Sequence, residues 1–155
     1  MRKILLVTNH LTPYRKIFYS KFHQICESKG IDFKVLLMTK IEPKRNWDYN
    51  SLKIPFAHLM KDIHITFPIN NHLNIEIKKQ LKIYKPDVVI MAGSYMYLTN
   101  WIVCSYKRKY KYKLLYWNEA HFNELRNYNK LTLKIREKIR NIFFFQNRWL
   151  LVDRK

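Results

Sequence analysis

Lys3-Ile4-Leu5-Leu6-Val7-Thr8-Asn9-His10-Leu11-Thr12-Pro13-Tyr14-Arg15 is the stretch that decides the fold. Ile4, Leu5, Leu6 and Val7 form a continuous aliphatic run without polar alternation, the pattern of a strand buried on both faces. Asn9 and His10 break that run. Thr12 is suited to cap a helix, and Pro13 fits its first position, where a missing N–H costs nothing. Tyr14, Phe18, Phe22 and Ile25 then recur at helical spacing and share one face. Gly30 supplies a left-handed stop, and residues 33–38 read as a second buried strand. Two apolar strands joined through a helix make a parallel unit, because parallel neighbours need a crossover.

The alternation continues beyond this unit. Residues 39–58 are polar and irregular, and hold Pro43, Trp47 and Pro55. A short apolar piece at 63–67 stops at Pro68. Leu73, Ile77, Leu81 and Tyr84 predict a helix that ends at Lys85-Pro86, since a residue before proline avoids the helical region. Residues 87–92 are a further buried strand closed by Gly93, followed by a helix over 98–109 and a strand over 113–117. A last helix, roughly 129–144, is expected to carry Leu131, Ile135, Ile139 and Ile142 inward. Lys130, Lys134, Arg136, Lys138 and Arg140 then lie largely outside. The expected fold class is α/β: a Rossmann-like parallel sheet with helices on both faces.

Composition narrows the function classes. The 155 residues carry 30 Lys+Arg against 11 Asp+Glu, a net charge of +19 with neutral histidines. That excess suits nucleic acid, an anionic membrane or acidic substrates. Gly30 and Gly93 are the only glycines, so neither a dinucleotide-binding G-x-G-x-x-G loop nor a G-x-x-x-x-G-K-[ST] phosphate loop exists here. Cys26 and Cys104 stand alone in apolar surroundings, which favours a reducing compartment and gives no zinc spacing. The apolar run after Met1-Arg2-Lys3 is too short for a secretory leader, and no stretch reaches the length of a membrane span. A cytoplasmic location is expected.

In open parallel sheets, ligands bind outside the carboxyl ends of the strands. That rule selects the loops 9–15, 93–99 and 118–126. The first contains Asn9, Thr12, Tyr14 and Arg15, and a basic residue in a first helical turn points to an anionic ligand. The second contains Gly93, Ser94, Tyr95 and Tyr97, where a tyrosine can stack on a sugar face or pack into the core. The third contains Glu119 and His121, a carboxylate and an imidazole able to hold a hydroxyl and take its proton. His64 and His72 have no partner in a recognisable pattern and read as surface residues. His10 and His23 carry a similarly weak signal. No cluster has the spacing of metal ligands.

Three segments together resemble the N-terminal half of bacterial family 4 glycosyltransferases of the GT-B fold. They are Ile4 to Thr8 with Asn9 and Thr12-Pro13-Tyr14-Arg15, then Lys85-Pro86-Asp87-Val88-Val89-Ile90 with Gly93-Ser94-Tyr95, and Lys113-Leu114-Leu115-Tyr116-Trp117-Asn118-Glu119 with Arg126 following. The resemblance spans residues 1–142. It implies an acceptor-binding domain for a sugar or lipid-linked acceptor, used in surface polysaccharide or glycolipid synthesis at the inner face of the plasma membrane. The strand-end reading assigns catalysis to Glu119 and His121, and together with the resemblance it assigns acceptor binding to Asn9, Thr12, Tyr14, Arg15, Gly93, Ser94, Tyr95 and Arg126. The resemblance implies a nucleotide-sugar donor held mainly by a second domain, and no metal. Residues 143–155 depart from the family pattern, which would continue into a further strand. A truncated chain is expected, inactive alone, with exposed apolar surface near 143–151, and dependent on a separate C-terminal half or on self-association. A basic module that binds nucleic acid or a membrane surface without catalysis is the alternative. The Tyr/Lys alternation over 106–112 favours it, and the lack of any nucleic-acid-binding motif weighs against nucleic acid.

Overall fold

The computed structural model describes residues 1–40, 48–65, 71–117, 130–147 and 150–151. β1 (Arg2–Thr8) leads into α1 (Pro13–Ser28) and β2 (Ile31–Leu37). After the one-turn α2 (Tyr49–Leu52) come β3 (Ala57–Leu59) and a hairpin of β4 (Ile63–Ile65) and β5 (Asn71–Leu73). Then follow α3 (Ile77–Tyr84), β6 (Val88–Ala92), α4 (Leu98–Tyr110), β7 (Lys113–Trp117), α5 (Lys130–Asn147) and β8 (Leu150–Leu151). The main sheet runs β3-β2-β1-β6-β7-β8, and every pairing in it is parallel. The fold is α/β and Rossmann-like. The chain builds outward from β1 on one side, then crosses to start again on the other, so the strand order reverses between β1 and β6.

Two apolar layers follow from the alternation of side chains along each strand. On one face Leu5, Val7, Leu36, Met38, Val89, Met91, Leu114 and Tyr116 pack under Ile77 and Leu81 of α3, Val103 of α4 and Phe143 of α5. On the other, Leu6, Phe33, Val35, Leu37 and Ala92 pack under Tyr19 and Cys26 of α1 and Leu52 of α2. Both β1 and β2 contribute to both layers, which is why Ile4–Val7 and Val35–Leu37 are apolar without alternation, while Asp32 and Lys34 alternate with Phe33 and Val35 in the first half of β2.

The ends of the helices are set locally. The Thr12 hydroxyl accepts from the Arg15 amide at 3.2 Å, with Pro13 first in the helix. Gly30 stands at φ +64° just past the end of α1. Lys85, before Pro86, takes φ +49°, and so ends α3 without entering the helical region. No helix among the described residues is long and apolar enough to cross a membrane.

Several expectations are corrected. The second strand is Ile31–Leu37, and the polar stretch 39–58 contains α2 and the start of β3. Leu73 belongs to β5, so α3 begins only at Ile77. Along α1 the buried residues are Arg15, Tyr19 and Cys26, while Tyr14, Phe18 and Ile25 are exposed. In α5, Ile135 and Ile142 are 50% and 39% exposed, whereas Phe143 is fully buried among Tyr95, Trp101 and Tyr116. Arg136, expected outside, is half-buried. Exposed apolar surface from residue 143 onward is therefore overturned at Phe143. α5 spans Lys130–Asn147, and β8 pairs in parallel with β7. His72 is buried and bonded to Asp62, not a surface residue.

Candidate functional site

The carboxyl ends of β1 and β6 lie side by side, so the loops after Thr8 and Ala92 meet at the reversal of strand order. Gly93 has φ +105°, a conformation in which a side chain is strained. A Cβ there would come within 3.1 Å of the Tyr97 ring and 3.9 Å of Asn9 Oδ1. Tyr97 thus lies over Gly93, and Asn9 borders the same spot. The Tyr116 hydroxyl reaches from beneath and donates to the Gly93 carbonyl at 2.6 Å. Burial pushes that phenol well above the ordinary tyrosine range, so it remains a donor.

Arg15 is buried, and its Nη1 donates to Asn9 Oδ1 at 2.8 Å, to the His10 carbonyl at 3.1 Å and to Thr8 Oγ1 at 3.2 Å. The guanidinium braces the loop between β1 and α1, and this explains a cation at a helix start that dipole logic disfavours. Thr12 is committed to capping α1. Tyr14 is exposed, with the Arg15 guanidinium 5.8 Å from its ring. Ser94 Oγ accepts from the Met96 amide at 3.1 Å, shaping the turn before α4. Tyr95 points its hydroxyl to the Arg136 carbonyl of α5 at 3.4 Å, away from the Asn9 side of the loop. Glu119, His121 and Arg126 lie outside the described residues.

The β4–β5 hairpin supplies what the sequence reading missed. Asn71 Oδ1 accepts from the Leu98 amide at 2.8 Å and its Nδ2 donates to the Met96 carbonyl at 2.7 Å, so the hairpin caps α4, whose N-cap Tyr97 does not cap it through its own side chain. Asn74 and Thr99, both fully buried, bond to each other at 2.8 Å. Asn74 Nδ2 also donates to the Met38 carbonyl at 2.8 Å and Thr99 to the His72 carbonyl at 2.9 Å. These bonds tie the hairpin to the end of β2 and to α4. His72 Nδ1 sits 2.8 Å from Asp62 Oδ2, which favours the proton on Nδ1 in the neutral ring. His64 stacks on His72 with centroids 5.0 Å apart, and Tyr97 meets His72 edge-on at 5.1 Å. A ladder of rings therefore runs from the crevice floor at Gly93 through Tyr97 and His72 to the exposed His64. The sequence signal was Asn70-Asn71-His72-Leu73-Asn74, a polar run next to an apolar helix stripe.

Asn9, Gly93 and Tyr97 bring an amide and an aromatic ring to one crevice, with the buried His72–Asp62 pair behind the ring. Such groups suit a hydroxylated ligand: hydrogen bonds to its edges, an aromatic ring against its face. Among the described residues no group of three or more His, Cys, Asp or Glu could hold a metal ion. Comparison with protein-family models, curated proteins and solved structures finds no match to this chain.

Proposed function

We propose that this chain is the acceptor-binding domain of a family 4-like GT-B glycosyltransferase, as the resemblance of its three loop motifs suggests. The observation that carries the reading is the meeting of the Asn9 and Gly93 loops at the reversal point of a β3-β2-β1-β6-β7-β8 sheet. Those are two of the three segments on which the resemblance rests, and that point is where such sheets bind ligands. On this reading the sugar or lipid-linked acceptor lies against the Tyr97 ring beside Gly93, with Asn9 at its edge. Ser94, Thr12 and Arg15 shape the loops that hold it, and Tyr14 and Arg126 border it. Glu119 and His121 act on the acceptor hydroxyl, the imidazole taking the proton. A nucleotide-sugar donor binds to a second lobe contributed by other residues. The protein works at the inner face of the plasma membrane, where its positive charge favours anionic lipid.

The reading is tested by titrating the purified chain with sugar and polyprenyl-phosphate-sugar acceptors and following chemical shifts. Saturable perturbation at Asn9, Gly93 and Tyr97, weakened by Asn9→Ala, is the expected result. The chain by itself is expected to release no nucleotide from nucleotide-sugars above blank. Perturbation confined to lysines and abolished by salt would replace this reading with that of a basic surface module.

A further inference from the structure

The two faces of the sheet are unequally covered. Under α3, α4 and α5, Val89, Met91, Leu114 and Tyr116 are all buried. Their neighbours on the opposite face, Val88, Ile90, Leu115 and Trp117, are only half-buried. Register makes the gradient explicit: Val35, Leu6, Ile90 and Leu115 lie in one row across β2, β1, β6 and β7. Val35 and Leu6 are covered by α1, and the row opens at Ile90 and Leu115. Among the described helices only α1 and the one-turn α2 pack on this face.

α1 forms a wall beside the opening. Phe18 lies 5.2 Å from Trp117, so this flank of α1 looks toward β7, and Tyr14, Phe18 and Ile25 along it are 56%, 48% and 54% exposed. The result is an apolar trough with α1 as wall and β6–β7 as floor. Two to three strands at about 4.8 Å spacing give a floor roughly 10 Å wide, which matches the 8–10 Å separation of packed helices. Parallel sheets are stable with both faces covered by helices.

Charge selects the occupant. The exposed charged groups bordering the trough are Lys21 and Lys29 on α1, Arg2 at the start of β1 and Lys113, which shares a register row with Val88. The acid of α1, Glu27, pairs with His23 at 3.2 Å, and His23 stacks on Phe56, on the flank away from β7. A second copy would bring two bodies of charge +19 together. A bilayer is flat on this scale and would rest on α1 without reaching Ile90 and Leu115. We infer that the trough is a docking site for an amphipathic helix of another polypeptide, with an apolar stripe on the β6–β7 floor and acidic flanks against Lys21, Lys29, Arg2 and Lys113.

The probe is a labelled peptide of about 18 residues, roughly 27 Å as a helix, with a leucine stripe and glutamate flanks. A twin peptide carries lysine flanks, and phosphatidylglycerol vesicles serve as competitor. Fluorescence anisotropy against the full chain should show saturable binding of the acidic peptide, about tenfold or more tighter than of its basic twin. Lys21→Glu with Lys113→Glu, both exposed and outside the core, should weaken it about tenfold, and Phe18→Ser should weaken it with the fold intact by circular dichroism. Equal affinity for the two peptides, no binding, or indifference to the charge reversals would overturn the proposal. So would vesicles that bind the chain through Phe18 while the acidic peptide does not.

Discussion

Gly93 shows how one residue sets the candidate site. At φ +105° with a Cβ position 3.1 Å from Tyr97, alanine meets both backbone strain and a ring that must give way. Gly93→Ala should cost about 1–3 kcal/mol in urea unfolding and weaken ligand binding at the crevice. Glu76 is the second telling residue. Burial alone would raise its pKa, but bonds from the Lys61 amide and Gln80, with His58 Nε2 at 2.6 Å, outweigh this and hold it at about 2. A depressed carboxylate pKa contributes stability that is complete above its ordinary value of 4.5 and lost as pH falls toward about 2. Glu76→Gln should therefore be less stable than the parent near neutral pH, the two converging toward about pH 2. Parallel stability curves over that interval would refute the assignment. The Gly93 effect is largely local, whereas the Glu76 effect arises from atoms brought together by the fold, since Glu76 and His58 are separated by 18 positions.

At the scale of elements, the starts of α1 and α4 were legible, and helix orientation was not. α1 begins at Pro13, as its cap and proline require, and α4 starts at Leu98. Yet α1 buries Arg15, Tyr19 and Cys26, one position beyond the apolar series Tyr14, Phe18 and Ile25. α1 carries apolar residues on two adjacent flanks, so periodicity alone does not choose between them. α5 repeats the lesson: Ile135 and Ile142 face outward while Phe143 fills the space between Trp101 and Tyr116. Phe143→Ala should cost about 3–5 kcal/mol, because a large cavity opens under α4 and α5. Ile142→Ala should cost under about 1 kcal/mol, as expected of a surface position. Similar losses in denaturant midpoint for the two would return α5 to the orientation first read from its isoleucines.

For the whole molecule, charge is the dominant global property. A net +19 on 155 residues repels itself in the compact state more than in the expanded one. Melting temperature should therefore rise as salt increases from about 0.02 to 0.2 M, where screening shortens from beyond 20 Å to under 10 Å. A flat or falling profile by differential scanning calorimetry would show the charges to be locally compensated. The basic residues have structural uses as well: Lys3 and Lys34 lie over the Tyr84 ring, each at 5.4 Å. Tyr112, within the Tyr/Lys alternation that suggested base stacking, is buried and donates to the Val103 carbonyl, and Tyr106 stacks on Tyr110 at 5.6 Å. Amino-acid order alone determined the alternation of strands and helices around a parallel sheet and picked out the Asn9 and Gly93 loops, because these follow from periodicity, caps and breakers within a few residues. Tertiary structure alone decided which flank of α1 and α5 is covered, that Arg15 is a brace, and that Asn71 caps α4. Those outcomes depend on contacts between distant segments, such as the 27 positions separating Asn71 from Leu98, and local pattern carries no record of them.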